Sequence, residues 1–325
     1  MHWKRKAAIQ NMVARLPDSL SYQVYYALQR TFGRIERVDL ERGLRKGLRL
    51  IEMLDAQQRD LHGATVLEVG TGRRLGVPLA CWLRGAQQVL TVDLNPYLRP
   101  ELVLADLAYL RGHADNIREL FGAYAHRPIF GERLDALLHH PIPDLDALLA
   151  LTNIHYFSPA DARQLPLRKQ CVDYHISTNV LEPVPPPALA AILHEARRTL
   201  KRTGLFVHVV DLSDHFAHTD RSISAINFLQ FDDATWHQYA GNRYMYQNRL
   251  RASDYLALLD HAEFAVIEQH AHVDARSLAL LQAGFPVAAQ FQQYAPTVNA
   301  TVRLDLVARP EERNEHGPCL IQSKP

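Results

Sequence analysis

Three glycines and two carboxylates near residue 70 form the most chemically informative pattern in the chain. Gly70, Gly72 and Gly76 follow a short apolar run that contains Glu68, and a second apolar run ends at Asp93. Glycines let a loop approach a ligand closely, and the start of a following helix attracts polar or anionic groups. An acid about twenty residues further on can hold both hydroxyls of a ribose. The pattern therefore predicts a strand–loop–helix–strand unit that binds a nucleoside-bearing cofactor.

The glycine spacing and the position of Glu68 separate two classes of cofactor. Dinucleotide sites favour the spacing G-x-G-x-x-G, whereas here three residues lie between Gly72 and Gly76. A carboxylate inside the first strand would repel a pyrophosphate, but it would favour the cationic amino-acid part of S-adenosylmethionine. At this point the sequence resembles the class I S-adenosylmethionine-dependent methyltransferases, whose first motif reads E/D-x-G-x-G-x-x-x-G. A nicotinamide or flavin enzyme is the alternative.

This resemblance implies a set of cofactor contacts along one edge of the sheet. Such enzymes place an acid after the third strand, often as D-A-x-x-L-P, to bind the adenine amino group, and residues 161–166 read D-A-R-Q-L-P. The alternative role for Asp161 is that of a helix-capping aspartate. The expected cofactor-binding residues are Glu68, Gly70, Thr71, Gly72, Gly76, Asp93, Leu94, Asp161, Ala162, Ser177 and Thr178.

One departure from the family concerns the segment after the fourth strand. Relatives carry V-L-E-H-V there, whereas residues 180–184 of this chain read V-L-E-P-V. Pro183 replaces a histidine that often lies near the donated methyl group in such enzymes. We therefore expect no catalytic base at this position.

The segment around the end of the fifth strand is the best candidate for acceptor chemistry. Residues 208–220 contain three histidines and three aspartates. Transfer to a hydroxyl requires alignment and a base, and histidine titrates near neutral pH. We predict that His215 is the base and that Asp211 or Asp214 orients it. A divalent metal site, for which the spacing matches no known motif, and a solvated polar loop are the alternatives.

Further acceptor contacts are predicted where aromatic rings alternate with amides and guanidinium groups. Such groups suit a sugar or a phosphorylated acceptor, because arginine can bind phosphate or carboxylate through two hydrogen bonds. The alternative is an amphipathic helix with its charged side in water. The expected substrate-binding residues are Asn179, His208, His218, Arg243, Tyr246 and Arg249.

Composition limits the classes of partner. The net charge of +1 gives no electrostatic case for a nucleic-acid binder, and no apolar run is long enough for a membrane span. Three scattered cysteines favour a reducing cytoplasm. The basic first helix, which carries Trp3, could pack on its own domain or lie on a membrane surface. A homodimer is compatible with the sequence.

The alternation of apolar runs and helical stripes predicts an α/β fold, a doubly wound and mostly parallel seven-stranded sheet. The resemblance places the last strand antiparallel. We expect an N-terminal helical extension over residues 1–62 and a methyltransferase domain over 63–309, followed by a flexible tail over 310–325. Helical insertions are expected at about 97–151 and 212–260. The predicted strands are Thr65–Val69, Val89–Asp93, Asn153–Phe157, Tyr174–Thr178, Leu205–Val210, Phe264–His270 and Val302–Ala308.

Together these features predict a methyltransferase that uses S-adenosylmethionine and a small-molecule acceptor. The expected reaction is O-methylation of a sugar or secondary metabolite with a His/Asp base. Methylation of nitrogen or carbon in a natural product is one alternative, and a non-catalytic S-adenosylmethionine-binding partner protein is another.

Overall fold

The computed structural model describes residues 1–31, 35 and 38–311, so most of the predicted tail lies outside the described residues. The strands are β1 (Thr65–Val69), β2 (Gln88–Val92), β3 (Ile154–Phe157), β4 (Val172–Thr178), β5 (Leu200–Asp211), β6 (Phe264–Val273) and β7 (Thr301–Pro310). The helices before β4 are α1 (Trp3–Ala14), α2 (Asp18–Thr31), α3 (Leu40–Ala56), α4 (Gly76–Leu83), α5 (Pro100–Gly112), α6 (Ala114–Phe121), α7 (Pro128–His139) and α8 (Leu145–Thr152). The later helices are α9 (Pro186–Thr199), α10 (Asp233–Ala240), α11 (Ala252–His261), α12 (Ala275–Gln282) and α13 (Pro296–Asn299).

The strands form one seven-stranded sheet with the order β3-β2-β1-β4-β5-β7-β6. Strands β1 to β5 pair in parallel, and β7 runs antiparallel to both β5 and β6. The predicted mostly parallel sheet with an antiparallel last strand is therefore confirmed. Strand β5 begins at Leu200, earlier than predicted, because Leu200 pairs with Val172 at the start of β4.

Helices cover both faces of the sheet, which explains why the central strands β1 and β4 are almost continuously buried. One core contains Leu48 of α3 and Leu134 of α7, and the other contains Leu193 of α9 and Leu259 of α11. The strand order reverses between β1 and β4, so a crevice opens at their carboxyl ends. Open α/β sheets bind their ligands at such a reversal point.

Helix α1 packs against the segment that follows β5. Trp3 is buried there, with its ring 4.8 Å from that of Tyr239 and 5.4 Å from that of Phe216. The backbone N–H of Trp3 donates to the carboxylate of Asp220 at 2.7 Å. The tryptophan face of the first helix is therefore packed on its own chain. No helix in the described part of the chain is long and apolar enough to cross a membrane.

Helices occupy most of the connections between strands. Residues 97–151, which we expected to be helical, contain α5 to α8. Between β6 and β7 lie α12 and α13, which the sequence analysis did not predict. The side chain of Asp274 caps α12 by accepting from the N–H of Ser277, a local signal that could have revealed that helix.

Helices α3 and α4 approach each other closely through glycines. A Cβ atom on Gly76 would lie 2.5 Å from the Cα of Gly43, and one on Gly47 would lie 2.4 Å from the Cβ of Ala80. These neighbours include main-chain atoms, which cannot move aside independently of their helix. The glycines therefore set how closely α3 lies over the cofactor loop at the start of α4.

We expect Gly76→Ala to lower the free energy of unfolding by about 2 kcal/mol, because the added methyl overpacks the contact between α3 and α4. Urea denaturation measures this change. The matched control is Gly131→Ala in α7, where a Cβ would meet nothing within 4 Å. That variant should gain about 0.5–1 kcal/mol, since alanine favours the helix. Equal stabilities of the two variants would contradict the packing argument.

Candidate active site

The loop between β1 and α4 requires glycine at two positions. Gly70 has a φ of +87°, and a Cβ there would lie 2.3 Å from a methyl carbon of Val180. Gly72 has a φ of +67°, and a Cβ there would meet nothing within 4 Å. The N–H of Gly72 donates to the carboxylate of Asp93 at 2.9 Å. The loop is therefore held open, with main-chain atoms facing the crevice.

Two adjoining cavities lie along this loop, with volumes of about 490 and 380 Å³. They share Gly70, Asp93, Val180 and Pro183 in their walls. The predicted cofactor residues in the larger cavity are Glu68, Gly70, Thr71, Gly72, Gly76, Asp93 and Thr178. Those in the smaller cavity are Gly70, Asp93, Leu94, Asp161 and Ala162. The structure thus brings together every predicted cofactor residue except Ser177, which is fully buried and lines neither cavity.

Asp93 lies at the tip of β2, where both cavities meet. One carboxylate oxygen accepts from the N–H of Gly72 and the other accepts from that of Asn95. Burial raises the pKa of Asp93, while these N–H groups and Arg73 partly offset the rise. Since each carboxylate oxygen has two acceptor positions, acceptor positions remain for the two hydroxyls of a ribose.

Glu68 is a buried acid in the wall of the larger cavity. It accepts a hydrogen bond from the hydroxyl of Thr91. Burial raises its pKa to about 8, and the charge of Asp93 adds to the rise. The side chain is therefore mainly protonated at neutral pH until a cation approaches it, since an adjacent positive charge favours the carboxylate form.

The smaller cavity is lined by the apolar side chain of Leu94 and by the carboxylate of Asp161. The side chain of Leu94 is 63% exposed, although it is large and apolar. Asp161 accepts hydrogen bonds from the N–H and the guanidinium group of Arg163, and the latter holds the pKa of Asp161 below its ordinary value. No helix begins at Asp161, so the alternative role of a helix cap does not apply.

The cavities fit S-adenosylmethionine. An adenine ring would lie against Leu94 with Asp161 at its edge, and Asp93 would hold the ribose. The cationic amino-acid part would reach Glu68, whose carboxyl is buried in the cavity wall and accepts a hydrogen bond from Thr91. A pyrophosphate group in the same place would lie beside the carboxyl of Glu68, whose ionised form would repel it.

Comparisons with known proteins found one family model and several solved structures that resemble this chain. A family model described as "Methyltransferase domain" matches residues 144–208, from the start of α8 to the middle of β5. No curated protein sequence matches the chain. A solved S-adenosylmethionine-dependent methyltransferase from Mesorhizobium loti is similar, with 17% identity and a TM-score of 0.42 over 79% of this chain and 96% of that one. A protein from Pyrococcus horikoshii is also similar, with 14% identity and a TM-score of 0.44 over 82% and 91%.

The sheet order, the glycine loop and Asp93 define the class I methyltransferase fold. The residues matched by the family model form part of that sheet, and they include the segment D-A-R-Q-L-P at residues 161–166, which contributes to the wall of the smaller cavity. Residues 144–208 thus match a methyltransferase domain, and the sheet of the whole chain has the strand order of the class I S-adenosylmethionine-dependent methyltransferases.

Beyond the cofactor cavities, β5 ends in a cluster of acids and histidines. The Nε2 atom of His218 lies 3.3 Å from the carboxylate of Asp211, and that of His215 lies 3.8 Å from it. Burial lowers the pKa of His215 to about 4, although Asp211 acts in the opposite direction. Burial alone would raise the pKa of Asp211, but its contacts with His218 and His215 hold it below the ordinary value. At neutral pH the imidazole of His215 is therefore uncharged, and it lies beside the ionised carboxylate of Asp211.

Glu182 belongs to this cluster, and the sequence analysis did not assign it a role. It is 2% exposed, and its carboxyl lies 3.9 Å from Nε2 of His215. Neither oxygen has a hydrogen-bond partner. Burial raises its pKa well above the ordinary value, with a further contribution from Asp211. Its place within V-L-E-P-V, directly after a strand that ends at the cofactor, was the signal available in the sequence.

Asp214 does not orient His215, contrary to one of our two expectations. Its carboxylate accepts from the N–H of Phe216 and the side-chain amide of Asn227, and it is completely buried. Burial raises its pKa to about 6. Asp214 therefore shapes the loop, and Asp211 is the acid near the imidazole.

His208 lies inside the sheet and does not face the acceptor side. Its ring is fully buried, with one nitrogen 3.0 Å from His175 and the other 2.6 Å from the hydroxyl of Ser177. Burial lowers the pKa of His208 well below its ordinary value. The predicted roles of His208 in substrate binding and of Ser177 in cofactor binding are therefore replaced by a buried hydrogen-bonded chain.

The three candidates in the second insertion lie away from the site. Arg249 donates to the carbonyl groups of Phe228 and Phe231 and pairs with Asp233, so it stabilises the fold of its own segment. Arg243 pairs with Asp18 at 2.6 Å.

Two other predicted substrate-binding residues differ in their placement. Tyr246 lines none of the four described cavities. Asn179 lines the larger cofactor cavity and also a cavity of about 300 Å³ that contains Asp211. Asn179 therefore lies between the cofactor and the histidine cluster. No group of three or more His, Cys, Asp or Glu in the described residues could hold a metal ion.

Proposed function

We propose that the enzyme methylates a hydroxyl oxygen of a small molecule, with His215 accepting the proton. The observation that carries this proposal is the neutral imidazole of His215 beside ionised Asp211, at the carboxyl edge of the sheet. A hydroxyl is a poor nucleophile until its proton has a destination, and an uncharged imidazole can accept it. The net charge of +1 also supports a small acceptor over a nucleic acid.

Each side chain of the site then has a defined task. Glu68, Asp93 and Asp161 would hold the cofactor, which supplies a methyl group on a cationic sulfur that keeps the electron pair of the broken bond. His215 would take the hydroxyl proton at Nε2 as the acceptor oxygen gains the methyl. Asp211, 3.8 Å away, would stabilise the resulting imidazolium. Protonated Glu182 has a hydrogen to donate to a second oxygen of the acceptor.

The test is His215→Asn, assayed by S-adenosylhomocysteine release with a panel of alcohols, phenols, sugars and amines. We expect kcat to fall about 100-fold, the lower end for loss of a general base. The affinity for S-adenosylhomocysteine should stay unchanged, because His215 lines neither cofactor cavity.

The matched control is His140→Asn, an exposed histidine after α7. It should retain full activity. Turnover of an amine that survives His215→Asn would contradict O-methylation, because an amine that is already deprotonated does not need the base.

A further inference from the structure

A third cavity, of about 530 Å³, lies between α1, α2 and the segment after β5. Its walls include Ile9 and Gln10 of α1, Tyr25 and Leu28 of α2, and His215. The volume is within the range of sites for small organic ligands. Neither the glycine loop nor the predicted cofactor residues contribute to it, so it is a separate site.

One hydrogen-bonded pair joins the wall of this α1–α2 cavity to the wall of the larger cofactor cavity. Gln29 lines the cavity and accepts a hydrogen bond from Arg73 at 2.8 Å, and Arg73 lines the larger cofactor cavity. On the same side, His215 lines the α1–α2 cavity while its Nε2 lies within 4 Å of Asp211 and Glu182. A ligand in this cavity would therefore lie against both the base and the wall of the cofactor site.

The lining shows which kind of molecule fits. Met1, Ile9 and Leu28 give the cavity apolar walls, and polar groups at its edge come from Lys6, Gln29, His218 and Thr219. No carboxylate lies among its described lining residues. Apolar ligands favour such walls, whereas a free sugar would lose hydrogen bonds to water against them.

One polar atom in the wall lacks a partner. Gln10 is 4% exposed and donates to the hydroxyl of Tyr25, but its side-chain oxygen accepts no hydrogen bond from any residue that the structure describes. A buried acceptor without a partner costs about 1–3 kcal/mol. A ligand hydroxyl is a donor that can satisfy it.

We propose that the α1–α2 cavity is the acceptor site and that the acceptor is a mainly apolar molecule with hydroxyl groups, such as a polycyclic phenol. This inference rests on the proposed O-methylation and narrows its acceptor class. The apolar frame contacts Ile9 and Leu28, one hydroxyl contacts Gln10, and the reacting hydroxyl reaches His215.

The experiment measures binding without turnover. The protein saturated with S-adenosylhomocysteine is titrated by calorimetry with 1-naphthol and 4-hydroxybiphenyl, and with methyl α-glucoside as the polar counterpart. Ile9→Trp fills the cavity from an exposed position of α1, and Met12→Trp adds the same ring to a 71% exposed position outside it. Thermal melting and S-adenosylhomocysteine affinity verify that both variants are folded.

We expect at least one of the two phenols to bind, Ile9→Trp to weaken that binding at least tenfold, and Met12→Trp to leave it unchanged. Absence of phenol binding, preferential binding of the glucoside, or equal effects of the two substitutions would overturn the proposal. These results are distinguishable from failure of the proposed function. A sugar methylated in a His215-dependent way would keep O-methylation and reject only the apolar acceptor.

Discussion

Asp93→Ala is expected to weaken the binding of S-adenosylhomocysteine at least 100-fold. The substitution removes the carboxylate that we expect to accept from two ribose hydroxyls, and each hydrogen bond to a charged group contributes about 1.5–3 kcal/mol. It also leaves the N–H groups of Gly72 and Asn95 without their acceptor, so the loop that forms the cradle loses its anchor. Calorimetric titration measures the change.

Two further variants are compared with Asp93→Ala in the same titration. Asp93→Asn retains one acceptor oxygen and should fall between the wild type and the alanine variant, at about a tenfold loss. Asp115→Ala removes an aspartate of α6 whose side chain is 97% exposed, and it should bind normally. If Asp93→Ala and Asp115→Ala bound the cofactor equally well, Asp93 would not hold the ribose.

The affinity for S-adenosylhomocysteine is expected to rise about twentyfold between pH 6 and pH 7.5. The physical reason is the buried carboxyl of Glu68, whose pKa of about 8 must fall when the ligand's ammonium group arrives. Binding then releases a proton, so it becomes tighter as the pH approaches the pKa of the free protein from below. The gain ends as the pH passes about 8, because Glu68 is then already ionised in the free protein.

Glu68→Gln is the matched variant for this prediction. The amide keeps the shape and an acceptor for the hydroxyl of Thr91, but it carries no charge at any pH. We expect weaker binding that is nearly independent of pH between 6 and 7.5. A wild type with the same flat profile would show that Glu68 does not pair with the cationic part of the ligand.

The cofactor class could be predicted from the sequence because its determinants are local. Gly70 and Gly72 need positive φ angles within one loop, and Asp93 follows at the end of the next strand. Burial on both faces also favours apolar residues in the inner strands, and each of the seven predicted strands overlaps an observed strand, with ends that differ by up to five residues. Contacts between neighbours in sequence and in adjacent strands are encoded by spacing alone.

The acceptor side depended on contacts between residues far apart in the chain. His208 and His215 are both histidines near the end of β5, yet one faces Ser177 inside the sheet and the other faces Asp211. The sequence provides the residue types but does not show which neighbouring residues will bury a given side chain. Arg249 was misassigned because its partners are the main-chain carbonyl groups of Phe228 and Phe231, 21 and 18 positions earlier in its own insertion.

By itself, then, the sequence determined the fold class, the class of cofactor and the edge of the sheet at which the two cavities lie. Only the tertiary structure decided that Glu182 joins the histidine cluster and that α1 covers it, through a hydrogen bond from Trp3 to Asp220, 217 positions away. Motifs bring neighbouring residues together at a fixed spacing, whereas packing brings distant residues together according to the shape and burial of everything between them.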